Sequence, residues 1–172
     1  MAYAQAKQFD IADIPVVDIT ALRDGSDPQR VADALHAASK SLGFIYIKGH
    51  GIPEAAISSA RSAAMDFFHS PDSQKTAVSI SDKHRGWLGQ GAAKMQDDAK
   101  VDLKESFIWG YQNAEGNALE DHALRGVNQW PDVQDFREPV MAYHAALRSL
   151  SEALYRGFAL SLDLDEDYFT SM

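Results

Sequence analysis

Six histidines are the side chains of this sequence best suited to bind a metal: His36, His50, His69, His84, His122 and His144. A site of two histidines and one carboxylate is most simply built from a His-x-Asp or His-x-Glu pair on a strand and a distant histidine. Neither pair occurs, and no two histidines lie four residues apart on one helical face. We therefore expect no metal ligand set within these 172 residues.

His50 is the histidine with the most unusual surroundings, in the segment GFIYIKGHGIP at Gly43–Pro53. One hypothesis makes it a metal ligand, and the other makes it a structural part of a sharp turn. Glycines on both sides indicate a turn with unusual backbone angles, in which an imidazole can bind loop carbonyls. Because His50 is not part of a His-x-Asp or His-x-Glu pair, we favour the structural role.

Covalent and phosphate-binding sites have little support. The sequence has no cysteine, which excludes disulfides, thiolate metal sites and thiol nucleophiles. It also has no Gly-x-Ser-x-Gly motif, so a hydrolase or transferase would lack a recognisable nucleophile. The GQG at Gly89–Gly91 lacks the Lys-Ser of a phosphate loop and a third spaced glycine.

The segment DKHRGWLGQG, Asp82–Gly91, combines cationic, aromatic and flexible residues. A loop that holds a small anionic molecule needs this combination, and Arg85 has the planar fork that pairs with a carboxylate. The alternative is a surface arginine beside an aromatic residue that packs into the core. The residues leave these two hypotheses equally open.

Composition restricts the class of protein around these residues. The hydrophobic share is 45% and the charged share 24%, which is typical of a globular domain. The net charge of −9, from 16 basic and 25 acidic residues, argues against nucleic acid as a partner. No secretion signal and no apolar run long enough to span a membrane is recognisable, so we expect a cytoplasmic protein that does not bind membranes.

Periodicity and capping residues predict the elements that would position these side chains. Strands are predicted at Ile14–Ile19, Phe44–Lys48 and Glu105–Tyr111. Helices are predicted from Pro28 to Gly43, from Pro53 to about Phe68, over residues 70–78, and from about Pro139 to Leu162. Asp165 is predicted to cap a further helical turn, and a chain that stops there would be a truncated one.

Eight segments in this order resemble one family: IPVVDI, LGFIYIKGHGIP, MDFFHSPDSQK, HRGWLGQG, KESFIWG, NQWPD, FREPVMAYHAAL and LSLDLDEDYF. Together they are similar to the N-terminal half of the isopenicillin N synthase-like, 2-oxoglutarate- and Fe(II)-dependent dioxygenases. The resemblance implies an α+β fold with helices packed on the outer strands of a double-stranded β-helix (jelly-roll) oxygenase, of which residues 1–172 are the N-terminal portion only.

The resemblance also implies where the cofactors bind. In this family the iron ligands and the Arg-x-Ser pair that binds 2-oxoglutarate lie in the C-terminal half, and neither motif occurs here. Fe(II) and 2-oxoglutarate are thus implied cofactors whose ligands are outside this chain. Some members of the family do without the keto acid, so the resemblance also leaves open an enzyme that uses iron without 2-oxoglutarate. The resemblance favours the structural role of His50, with Gly49 where Asn is usual.

Matching motifs imply a substrate-binding set of Arg85, Trp87, Ser106 and Ile108. Trp87 stands where the family usually has Tyr.

The implied function is a part of an oxygenase that acts on a small organic substrate, with this chain as scaffold and pocket wall and inactive by itself. Its implied partners are the substrate, the C-terminal half of the same protein and, for the chain alone, further copies of itself. The alternative is a non-catalytic binding domain that folds alone or pairs with another subunit.

Overall fold

A computed structural model describes residues 10–92, 103–111 and 126–172. The chain divides into two compact units. The first unit comprises Met1–Glu54 and Tyr143–Met172, and the second comprises Ala55–Ala142.

The first unit is built on a parallel pair of short strands. After a 3₁₀ turn at Ile11–Asp13, β1 spans Val16–Asp18, α1 Thr20–Asp24, α2 Pro28–Ser41 and β2 Tyr46–Lys48. The two strands pair in the register Val16↔Tyr46, Val17↔Ile47 and Asp18↔Lys48. The predicted order of strand, helix and strand is confirmed, although α1 was not predicted.

The boundaries of α2 follow from the residues that flank it. The Asp27 carboxylate accepts a hydrogen bond from the backbone N–H of Arg30 at 3.3 Å, and Pro28 occupies the first turn. Gly43, with φ of 73°, follows the last turn in the left-handed conformation that glycine adopts most readily. The predicted helix from Pro28 to Gly43 is confirmed.

The core of the first unit lies between α1, α2, the strand pair and a long C-terminal helix, α5, at Arg137–Ser161. Ile19, Leu22 and Leu35 are fully buried there. Apolar residues of α5 one turn apart pack against them, namely Leu150, Leu154 and Phe158. The spacing of these three residues is part of the apolar periodicity from which the sequence predicted this helix.

Gly157 gives α5 its close approach to this core. A methyl group at this position would lie 2.7 Å from Cδ2 of Leu22 and 2.9 Å from Cδ1 of Leu35. Gly157→Val is expected to lower the free energy of unfolding by about 1–3 kcal/mol through overpacking, although valine is the better helix former. Ala145→Val, exposed on the same helix, is the control and should cost less than about 1 kcal/mol in urea unfolding. Equal losses would contradict the packing explanation.

The second unit has helices α3 at Glu54–Phe68 and α4 at Asp72–Thr76, with strands β3 at Gly86–Leu88 and β4 at Ser106–Ile108. The strands are antiparallel, and the first residues of α5 complete the unit. Its core contains Ala63, Phe67, Val78, Phe136 and Val140. Phe67 is fully buried.

Several sequence-based expectations change. The segment after Asp165 forms turns, in which the N–H of Tyr168 donates to Asp165 O at 3.0 Å, and not the predicted helix. β3 lies in a segment for which a glycine-rich loop was expected. Within the described ranges the strands form two two-stranded sheets, so a jelly roll stays a prediction. None of the described helices is both long and apolar enough to span a bilayer.

Candidate functional site

The β3–β4 pair carries three of the four residues predicted to bind substrate. Its register places Trp87 opposite Phe107, Leu88 opposite Ser106, and Gly86 opposite Ile108. Side chains alternate between the faces of a strand, and residues opposite each other share a face. Trp87 therefore lies on one face of this strand pair, and Ser106 and Ile108 lie together on the other.

The Trp87 face is the face that packs on the core of the second unit. The ring of Phe107 lies 5.1 Å from the rings of Phe67 and Phe136, and 6.1 Å from that of Trp130. Trp87 packs against the same cluster. The structure thus places Ser106 and Ile108 on one face of the strand pair and separates Trp87 from them.

The indole of Trp87 is held by a partly buried ion pair. Its Nε1–H donates to Oε2 of Glu105 at 2.7 Å, and Nζ of Lys75 lies 3.3 Å from the same oxygen. The Lys75 ammonium also lies 5.5 Å from the centre of the Trp87 ring, a cation–π contact. The side chains of Lys75 and Glu105 are 11% and 22% exposed, so this pair is largely shielded from water.

Desolvation lowers the pKa of Lys75, but hydrogen bonds to Glu105 and Asp72 outweigh it, and the net pKa is raised above its usual value. Lys75 remains charged in this setting. Lys75 and Glu105 together fix the indole of Trp87, and with it the position of β3 against β4. Neither residue was singled out from the sequence, since a lysine and a glutamate thirty residues apart give no local signal.

Removing one member of this pair is expected to destabilise the chain more than removing both. Glu105→Ala leaves the Lys75 ammonium in a shielded site with Asp72, whose side chain is 90% exposed, as its remaining acidic partner among the described residues, beside the Phe68 carbonyl at 3.4 Å. The double variant Lys75→Met/Glu105→Ala removes the charge as well, and so should recover part of the loss. Urea unfolding of both variants, with Lys75→Met alone to complete the cycle, measures the coupling. Additive losses would show that the pair is not coupled.

Arg85 is buried, with 6% of its surface exposed, so the alternative is wrong in placing it on the surface, although its aromatic neighbour Trp87 does pack on the core as that alternative expected. Its Nη1 donates to the carbonyl of His84 at 3.1 Å. A methyl group on Gly110 would lie 2.7 Å from Nη2 of Arg85, which shows how closely the guanidinium packs against this glycine. The absence of a side chain at Gly110 therefore makes room for the guanidinium beside β4.

Asn128 and Gln129 bind the backbone around Arg85. The Asn128 side chain accepts from Gly110 N at 2.9 Å and donates to Gly110 O at 2.8 Å. Gln129 Nε2 donates to Arg85 O at 2.6 Å and to Ser79 O at 2.9 Å. Neither residue was singled out from the sequence, where the NQWPD segment served only as part of the family resemblance. The sequence did contain one signal for them, namely two adjacent side-chain amides directly before a Trp-Pro pair.

The His50 turn has the structural role expected from the sequence. Nδ1 of His50 accepts a hydrogen bond from the N–H of Ile52 at 3.1 Å, so the imidazole binds a backbone donor and not the expected carbonyls. Gly49 has φ of 71°, which favours glycine and also tolerates asparagine. A Cβ at Gly49 would collide with Oγ1 of Thr20 and lie 2.8 Å from Oδ1 of Asp18, which explains glycine at this position.

The described residues do not fit an iron site. Nowhere in residues 10–92, 103–111 and 126–172 do three or more His, Cys, Asp or Glu side chains cluster closely enough to hold a metal ion. Five of the six histidines lie in these ranges, and the sixth, His122, lies outside the described residues. No chemical step is therefore assigned to a metal in this part of the chain.

Comparison with known proteins gives the family. A family model described as the N-terminal region of "non-haem dioxygenase in morphine synthesis" matches residues 14–133. This chain belongs to that family. The match includes both the His50 turn and the β3–β4 pair, so both are parts of a dioxygenase N-terminal region.

Relatives of this dioxygenase N-terminal region include the 2-oxoglutarate-dependent dioxygenase thnC of Trichoderma harzianum, 28% identical over 90% of this chain and 51% of that protein. The 1-aminocyclopropane-1-carboxylate oxidase of Dictyostelium mucoroides is 27% identical over 94% of this chain and 46% of its own length. The chain thus spans about half the length of the curated relatives it matches.

A crystal structure of a Caulobacter crescentus protein described as belonging to the 2OG-Fe(II) oxygenase family has the same fold. It superposes with a TM-score of 0.79 at 25% identity, and the match covers 92% of this chain and 51% of that one. The predicted resemblance to the N-terminal half of these oxygenases is confirmed.

Proposed function

We propose that this chain is the N-terminal part of a non-haem Fe(II)- and 2-oxoglutarate-dependent oxygenase that oxidises a small organic substrate. The observation that carries the proposal is the family match over residues 14–133, in a chain that covers half of its dioxygenase relatives. The described residues supply no metal ligand set. Iron and 2-oxoglutarate would accordingly be bound by a further part of the protein, a jelly-roll core. That part would correspond to the half of the relatives that this chain does not match.

The chain's own contribution to this oxygenase is a scaffold and one wall of the substrate pocket. Ser106 and Ile108 are the proposed contact residues, since they share the face of the β3–β4 pair that is turned away from the aromatic core. Both are partly exposed. Arg85 and Trp87 contribute to the same wall by fixing its shape, Arg85 against Gly110 and Trp87 through Glu105.

The rest of the protein is the proposed partner of the exposed apolar side chains near the β1–β2 pair. Val16, Phe44 and Tyr46 are 60%, 74% and 54% exposed, and among the described residues each of the two short strands is paired along one edge only. Exposed apolar area on open strands promotes association, so the chain alone is expected to self-associate.

Sedimentation velocity at increasing concentration tests this self-association, and a Tyr46→Lys variant should associate less. A monomer at every concentration would contradict the expectation.

The test of the oxygenase proposal uses the longer protein that the proposal implies, with this chain as its N-terminal part. Supplied with Fe(II), ascorbate and oxygen, it should convert 2-oxoglutarate to succinate, and a chelator should stop the reaction. The 172-residue chain, assayed alongside as the control, should form no succinate. Failure of the Fe(II)-loaded longer protein to consume 2-oxoglutarate, with or without candidate substrates, would contradict the use of this cofactor. The alternative of a non-catalytic binding domain has no observation in its favour.

A further inference from the structure

The first unit contains a polar cleft that the oxygenase proposal does not use. It has a volume of about 500 Å³ and lies between the turn at residues 49–52 and the middle of α5. Its polar lining consists of Arg23, His50, Ser149, Glu152 and Arg156. Two guanidinium groups and one carboxylate give the lining a net positive charge, in a chain whose total charge is −9.

Arg23 is the cation of this cleft that contacts the turn at residues 49–52. Its Nη1 donates to the carbonyl oxygen of Gly49 at 2.8 Å. A Cβ on Gly51 would collide with the guanidinium, so the guanidinium lies against the bare backbone of this glycine. Within the described part of the chain no carboxylate forms an ion pair with Arg23. The neighbouring Asp24 carboxylate accepts from Ser26 N at 2.9 Å, and its hydrogen bonds with Ser26 lower its pKa more than the charge of Arg23 does.

Two further donors line the same cleft. His50 Nδ1 accepts from Ile52 N, so the neutral ring carries its proton on Nε2 and can donate from there. Arg156 uses Nη2 in an ion pair with Glu166 at 2.7 Å, which leaves other N–H groups of its guanidinium for a ligand. Glu152 is paired with Arg148 at 3.2 Å, and this pairing reduces its repulsion of an anion.

We propose that this cleft binds a small free metabolite through a carboxylate or phosphate group, with Arg23 as the principal contact. A guanidinium offers a planar pair of donors that matches either oxyanion, and among the described residues Arg23 has no ion pair that would have to break first. The volume is in the range of small-molecule sites, and Ile52, Leu150 and Ala153 supply apolar surface for a short hydrocarbon portion. All the lining residues belong to the first unit, so the proposal is independent of the β3–β4 wall.

Isothermal titration calorimetry of the purified chain at low ionic strength tests the proposal, with succinate and inorganic phosphate as separate probes. At least one probe is expected to bind saturably at one site per chain. The probe that binds more tightly identifies the oxyanion as carboxylate or phosphate. Arg23→Gln is expected to weaken that binding at least about tenfold, because it removes the charged donor pair. Arg30→Gln is the matched control: Arg30 lies in the first unit, 63% exposed and outside the cleft, and its loss should change the affinity less than about twofold.

Arg156→Gln provides a second variant, since Arg23 also holds the Gly49 turn and its replacement could unfold the chain. Circular dichroism shows which variants are folded, and a folded Arg156→Gln should also bind several-fold more weakly. The proposal is overturned if neither probe binds the wild-type chain saturably. It is equally overturned if the folded cleft variants bind like wild type, or if Arg30→Gln weakens binding as much as they do.

Discussion

Replacing Phe67 with alanine is expected to lower the free energy of unfolding by about 3–5 kcal/mol. Phe67 is fully buried, and its ring lies 5.4 Å from Phe68 and 5.1 Å from both Phe107 and Phe136. Truncation removes the transfer free energy of a phenyl group and leaves a cavity among rings that can close only in part. Since Phe107 lies in β4, the same change should loosen the strand that carries Ser106 and Ile108.

Urea unfolding followed by far-ultraviolet circular dichroism measures this loss. Met65→Ala is the matched control, because Met65 lies two residues away on α3 and is 46% exposed. The control should lose about 1 kcal/mol or less. A loss for Phe67→Ala no greater than that of Met65→Ala would contradict the aromatic core as the main source of stability in the second unit.

The second large effect is expected on activity. Under the proposed function, Ile108→Trp in the longer protein should lower kcat/KM at least about tenfold, since a bulky ring on the wall would exclude the substrate or misplace it. Ile108 is partly exposed and lies on the strand face away from the aromatic core, so the fold should tolerate the ring. Initial rates of substrate oxidation at several substrate concentrations separate KM from kcat.

Leu103→Trp controls for the added indole, because Leu103 is 81% exposed and three residues before β4. It should retain the kcat/KM of the wild type within about twofold, in keeping with a surface change. Unfolding of Ile108→Trp in urea should change by less than about 1 kcal/mol. If Ile108→Trp is folded and as active as the control, Ile108 does not line the pocket.

The sequence predicted the helical part of the fold well, because capping residues and apolar spacing act locally. Asp27 followed by Pro28 marked the start of α2, and leucines one turn apart marked α5. It did not predict α1, whose five residues are too few to show a period, or β3, where Gly86 and Gly89 obscure the strand pattern around Trp87.

The structure was needed to learn which residues of the candidate site share a face of the β3–β4 pair. Ser106 and Ile108 were placed together by alternation within one strand, which the sequence contains. The direction of Trp87 depends on its pairing with Phe107, a contact between residues twenty positions apart that no local pattern encodes. The burial of Arg85 likewise depends on Gly110 and on the amide of Gln129, which reaches Arg85 O from forty-four residues along the chain.

In the proposed oxygenase this chain builds the scaffold and the pocket wall, and residues outside it bind the iron. Anaerobic calorimetric titration of the 172-residue chain with Fe(II) tests this most directly, with the longer protein titrated in parallel. We predict no stoichiometric binding by the chain and one Fe(II) bound by the longer protein. A tight one-to-one Fe(II) site in the chain, lost on His50→Ala or on replacement of another of its histidines, would contradict the account.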